Sequence, residues 1–225
     1  EELQRDIFVM PHKERILKKV QVILENMDIM KMPDSKYKLE LLELYADSHK
    51  DLTDEQIVTC FNELIRLAPK QQKYYIIASN RIKDYQTSIS YIKKAVHSFP
   101  NDIYVHNKLV ELLLEHYDNM GGDIQDEIKE IEEHIHKSLE LNKGVENDAY
   151  EYKIRMYKLK YRNNLDELKQ HQDELCKELQ KIAPWHPNVL YVFDLCDKLS
   201  EKMIKESIDF YSKSDDNIAI EKCYI

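Results

Sequence analysis

Apolar residues recur at three- and four-residue intervals along nearly the whole chain, and strict alternation is almost absent, so the pattern predicts helices and no sheet. Behind Pro11, the residues Ile16, Val20, Ile23, Leu24 and Met27 share one face and predict a first helix from His12 to Met30. Pro33 ends the connector, Asp34 or Ser35 caps, and Tyr37, Leu41, Leu44 and Tyr45 mark a second helix to about Ser48. Thr53-Asp-Glu-Gln56 has the form of a capping box, in which each side chain satisfies a free backbone N–H. It opens a third helix, with Ile57, Phe61, Leu64 and Ile65 on one face, that stops before Pro69. A fourth helix is predicted over about 70–82, and a fifth with Ile89, Ile92, Ala95 and Val96 inward.

Asn101 or Asp102 caps a sixth helix that carries Tyr104, Val105, Leu109, Leu112, Leu113 and Tyr117 to about Asp118, before Gly121-Gly122. Ile124, Ile128, Ile131, Ile135 and Leu139 draw a regular stripe on a seventh, opposite an acidic face, and Gly144 closes it. Asn147 or Asp148 begins an eighth through about Tyr161, Asn163-Asn164 turns the chain, and Leu165, Leu168, Leu175, Leu179 and Ile182 mark a ninth. A single tenth helix is predicted from near Pro187 through Leu190, Phe193, Leu195, Leu199 and Ile204, with a polar, frayed tail from about Ser212. Short connectors force antiparallel neighbours, so the expected fold is all-α, a row of helical hairpins.

Composition agrees with this picture, since three Gly and six Pro leave few special turns. The net charge of −9, from 42 acidic and 33 basic residues with no basic block, makes nucleic acid an unfavoured main partner. Cys60, Cys176, Cys196 and Cys223 form no ligand-like spacing and read as buried thiols of a reducing compartment. No apolar run approaches the roughly 18 residues a membrane span needs. No signal-peptide pattern opens the chain either, so a cytoplasmic or other reducing intracellular location, with no membrane contact, is expected. The start at Glu1 rather than methionine suggests a piece of a longer protein.

Within the row of hairpins, DYQTSISYIKKAVHSFP at 84–100 has the most pattern. Asp84 and Tyr85 open it, Ser88 and Ala95 are small residues seven apart with Ile92 between them, and Pro100 ends it. This stretch resembles the second helix of a tetratricopeptide repeat. The preceding helix departs from that family, with Tyr75, Ile76 and Ser79 where it prefers a leucine, a small residue and a tyrosine. Pro69 and Pro100 lie 31 residues apart, against the family's period of about 34. The resemblance implies a right-handed α-solenoid of stacked antiparallel hairpins over 53–187, with 1–52 as an N-terminal helical cap and 188–225 as a C-terminal capping helix and frayed tail. It also implies that first helices line a concave partner-binding surface, turning Lys73, Ile77, Asn80 and Arg81 toward the groove. Tyr150 and Tyr157 lie on another first helix and suit the same role, as do Tyr74, Tyr75, Tyr152 and Tyr161, although tyrosine equally suits packing between hairpins.

Catalytic patterns are not found: the sequence has no glycine-rich phosphate loop, no HExxH helix, and no nucleophile with a base in a recognisable context. His134 and His136 point to different faces and make no metal clamp, and His106 and His116 read as surface or groove positions. The run Glu127 to Glu133 reads as a wet helix face supported by Lys129 or Lys137. Trp185, between Pro184 and Pro187, reads as an anchor at a helix junction before it reads as a binding aromatic. The expected function is therefore a non-enzymatic scaffold, without cofactor or metal, that binds a protein or peptide partner or another domain of its own polypeptide. The alternatives are a sensor or regulatory arm of a larger multidomain enzyme, such as a bacterial immune protein, and an RNA-binding helical repeat.

Overall fold

A computed structural model of the chain describes residues 28–48, 52–120 and 125–213, and these form ten α-helices without a strand among them. They are α1 (Lys36–Ser48), α2 (Asp54–Leu67), α3 (Gln72–Arg81), α4 (Tyr85–Ser98), α5 (Ile103–Met120), α6 (Gln125–Leu141), α7 (Ala149–Lys160), α8 (Leu165–Ile182), α9 (Pro187–Leu195) and α10 (Glu201–Ser212). The chain divides between Ser98 and Phe99 into two compact units. The expected first helix lies outside the described residues except for its end, where Ile29–Lys31 is a short 3-10 turn instead. Gly121-Gly122, Cys223 and most of the expected tail also lie outside them.

Helix starts follow the local chemistry. The capping box forms as its spacing predicts: the Gln56 N–H donates to Thr53 Oγ1 at 3.3 Å, and the Thr53 N–H donates to Gln56 Oε1 at 2.9 Å. Asp84 accepts from the N–H and the hydroxyl of Thr87 at 2.8 and 2.6 Å, which fixes the start of α4 and lowers the Asp84 pKa. Asp102 caps α5, Asn164 caps α8, and His186 caps α9 with Pro187 in the first turn.

In the first unit each helix packs on the next in sequence, α1 on α2, α2 on α3 and α3 on α4. Alternate helices also touch through side chains and run parallel: Glu43 and Ala46 of α1 meet Lys73 and Arg81 of α3, and Val58 and Asn62 of α2 meet Tyr91 of α4. The core holds Leu42, Ile57, Phe61, Leu64 and Ile92, all essentially without solvent exposure. Ser88 and Ala95 are buried as the small-residue spacing predicts, and the Ser88 hydroxyl donates to the Ser79 carbonyl at 2.7 Å. That bond requires the close helix approach that a small side chain permits.

The second unit repeats the scheme, with successive helices from α5 to α10 in contact and with α7 touching both α5 and α9. Its outer core joins Tyr150, Ile154, Leu175, Leu179, Val189 and Phe193 with the thiols Cys176 and Cys196. The expected tenth helix is two helices. Asp197 has φ of 57°, in the left-handed region, the Lys198 N–H donates to the Phe193 carbonyl at 2.9 Å, and the Asp197 N–H to the Asp194 carbonyl at 2.8 Å. These bonds make a Schellman ending, and Ser200 then caps α10 by accepting from the Met203 N–H. Glycine usually fills the left-handed position; an aspartate there gave no stop signal. Asp197→Gly is expected to stabilise the second unit by about 1 kcal/mol, and Asp197→Val to destabilise it by at least as much, in urea unfolding followed by Trp185 fluorescence.

Candidate functional site

On the face formed by α1 and α3, Lys73 Nζ lies 2.5 Å from Glu43 Oε1 and 5.1 Å from the centre of the Tyr74 ring, and the Tyr74 hydroxyl donates to the same carboxylate oxygen at 2.6 Å. Both hydrogen bonds, Lys73's first, hold the Glu43 carboxyl below its ordinary range. Arg81 donates to the Ala46 carbonyl near the end of α1. Lys73 and Arg81 thus fasten α3 to α1, Ile77 is half-buried between them, and Asn80 is exposed.

The tyrosines of α7 divide differently. Tyr150 is 4% exposed and belongs to the core of the second unit, its hydroxyl reaching the Lys143 carbonyl. Tyr157 and Tyr161 are half-buried and stack on His171 of α8, with ring centres 5.0 and 4.8 Å away. Burial raises the Tyr157 pKa to about 12. Tyr74 and Tyr75 are also buried, so packing occupies most of the tyrosines on first helices.

The opposite face of the first unit carries a cleft of about 550 Å³ between α2 and α4. Asn62 and Ile65 line it from α2, Tyr75 from α3, and Ser90, Tyr91, Lys93, Lys94, His97 and Ser98 from α4. Its floor is fixed: the Tyr91 hydroxyl donates to Asn62 Oδ1 at 2.9 Å and lies 3.2 Å from the Val58 carbonyl, which positions α4 against α2. Burial, then the neighbouring Cys60, pushes the Tyr91 phenol up to about 12, so it stays a neutral donor at physiological pH. The Asp54 carboxylate receives the N–H groups of Lys83 and Asp84, tying the start of α2 to the start of α4. Nothing in the sequence period joined these residues, because the cleft is assembled from three helices.

Other residues singled out by type have structural surroundings. His106 is 3% exposed rather than on a surface or groove. Its Nε2 donates to the Pro100 carbonyl at 3.0 Å, and its Nδ1 lies 2.9 Å from Nδ1 of His134. His136, by contrast, is exposed and 3.1 Å from Glu140. Glu132 of the acidic run reaches Lys160 of α7 at 2.6 Å rather than a lysine of its own helix. Trp185 is half-buried and its carbonyl accepts from the Ser207 hydroxyl, joining the α8–α9 corner to α10. Cys60, Cys176 and Cys196 are buried free thiols, and desolvation pushes Cys60 to about 12. Among the described residues no cluster of three or more His, Cys, Asp or Glu side chains is arranged to hold a metal, and no helix is long and apolar enough to cross a membrane.

Compared with known proteins, the chain matches no family model, and no curated protein is significantly similar to it.

Proposed function

We propose that the chain is a non-catalytic protein-interaction module built from tetratricopeptide-like helical hairpins. The observation that carries this reading is the cleft between α2 and α4. It is open, lined by rings and an isoleucine, and floored by a tyrosine–asparagine bond that leaves it preformed. A preformed concave surface spares a partner the cost of ordering it. Two further observations support the reading: consecutive helices pair in both units, and the small residues Ser88 and Ala95 lie buried where the repeat resemblance puts helix contacts. The face of α1 and α3 remains a second surface of the proposal, now centred on Asn80, because Lys73 and Arg81 already hold α1.

A photo-reactive benzoylphenylalanine placed at Ser98, on the cleft, and separately at Asn80, on the other face, tests the proposal in extract of the native cells. A defined polypeptide cross-linked from one position and not the other is expected. Cross-links from neither position would overturn the interaction reading.

A further inference from the structure

We propose that the α2/α4 cleft docks an acidic segment of a partner protein that presents one apolar side chain between two stretches of carboxylates. This assignment rests on the interaction reading above and specifies the chemistry of what is bound. Its first basis is charge. The chain has 42 acidic against 33 basic residues, yet no carboxylate lines the cleft, while Lys93, Lys94 and His97 follow one another along its α4 rim. Several other cations of the same unit have carboxylate partners: Arg66 has Asp34 and Glu63, Lys38 has Glu63, and Lys73 has Glu43. Lys94 instead stands 5.3 Å above the centre of the Tyr91 ring and makes no ion pair with any described residue, and His97 has no hydrogen-bond partner among them. A cation held over a ring keeps its orientation and stays available to an anion.

The second basis is the floor. Half-buried Ile65, with Tyr75 and Tyr91 beside it in the lining, gives an apolar patch beneath the basic rim. A segment that only carried charge would leave that patch in water, so one aliphatic or aromatic residue should seat there. A nucleic acid fits the same surface poorly. Stacking a base requires an exposed ring face, whereas Tyr75 and Tyr91 are buried. Two lysines also supply few phosphate contacts in a chain of net charge −9.

The test is fluorescence anisotropy of the full chain with a labelled oligoglutamate peptide bearing a central phenylalanine. Binding is expected to weaken by about tenfold or more in the double charge reversal K93E/K94E, and by about tenfold when the phenylalanine is replaced by serine, the loss set by burial of one apolar side chain. It should also weaken as salt is raised. Both lysines are exposed, so circular dichroism and thermal melting of the double variant should match the parent. Unchanged affinity in K93E/K94E, equal binding of an oligolysine peptide, or tighter binding of a labelled single-stranded oligonucleotide would each overturn the assignment. Failure of the peptide together with a partner cross-linked through Asn80 overturns the cleft alone. Failure of the peptide with no cross-link at either position overturns the interaction reading as well.

Discussion

Asn147→Asp, a change of one atom, will destabilise the second unit by about 4 kcal/mol. Asn147 is 5% exposed and sits where the loop after α6 turns into α7. Its Nδ2 donates to the carbonyls of Ser138 and Asn142 at 3.0 and 2.9 Å. Its Oδ1 accepts from the Ala149 N–H at 3.0 Å and from Asn107 Nδ2 of α5 at 3.2 Å, with the Ser138 hydroxyl 3.1 Å away. One amide therefore joins three segments, with both of its donor hydrogens and its acceptor used. A carboxylate would keep the acceptor but set a second negatively charged oxygen against two carbonyls that have lost their donor. Ser138→Ala, which removes one hydroxyl bonded mainly to Asn107 Oδ1 at 2.7 Å, should cost only about 1 kcal/mol. Urea unfolding read from Trp185, the single tryptophan and a member of this unit, measures both variants. The gap between N147D and the parent should narrow as pH falls far enough to protonate the introduced carboxyl, which then regains a donor. A defect below about 1 kcal/mol, or one that does not narrow in acid, would show that the network does not hold the unit together.

The contrast between legible and illegible features follows the range of the interactions. Helix period, the Thr53–Gln56 box and the proline stops are encoded within a turn or two, and Asp54–Leu67 and Leu165–Ile182 begin and end within a residue or two of where the local pattern puts them. Ser88 and Ala95 were legible because a helix contact needs small side chains at fixed spacing. The break at Asp197 was not, because a left-handed residue is signalled by glycine and here an aspartate takes that conformation. The repeat resemblance turned Lys73 and Arg81 toward a groove but could not show that they would bond to α1. Tyr150 has the composition of a binding residue and the surroundings of a core residue. The cleft itself depends on Asn62, Ile65 and Tyr75 meeting α4, a juxtaposition of three helices that no single periodic stretch carries. Likewise, Asn107, Ser138 and Asn147, or His106 and His134, look like ordinary polar positions until the hairpins pack.

Glu63→Ala is expected to destabilise the first unit by about 3 kcal/mol, more than an exposed carboxylate could, because it strands a buried cation. The Lys38 side chain is 3% exposed, with Nζ 2.5 Å from Glu63 Oε1, 3.1 Å from the Met30 carbonyl and 3.7 Å from Asp34. Removing the nearest anion leaves the ammonium with one carbonyl and a more distant carboxylate. Arg66, which bonds Glu63 and Asp34 together, is half-exposed and can turn to water instead. Replacing the cation too removes the stranded charge, so K38M/E63A should recover most of the loss in urea unfolding. Acid adds an independent reading of the same cluster. Hydrogen bonds from Arg66, then from Lys38, hold the Glu63 carboxyl at about 2 against an ordinary 4.5. A carboxyl depressed in the folded state contributes its full stabilisation above its unfolded pKa and loses it as pH falls through the folded one. The first unit should therefore weaken between about pH 4.5 and pH 2, and Glu63→Gln should flatten that decline while lowering stability at neutral pH. A double variant as unstable as Glu63→Ala, or an unchanged acid profile in Glu63→Gln, would mean that the Lys38 charge is not held by this pair.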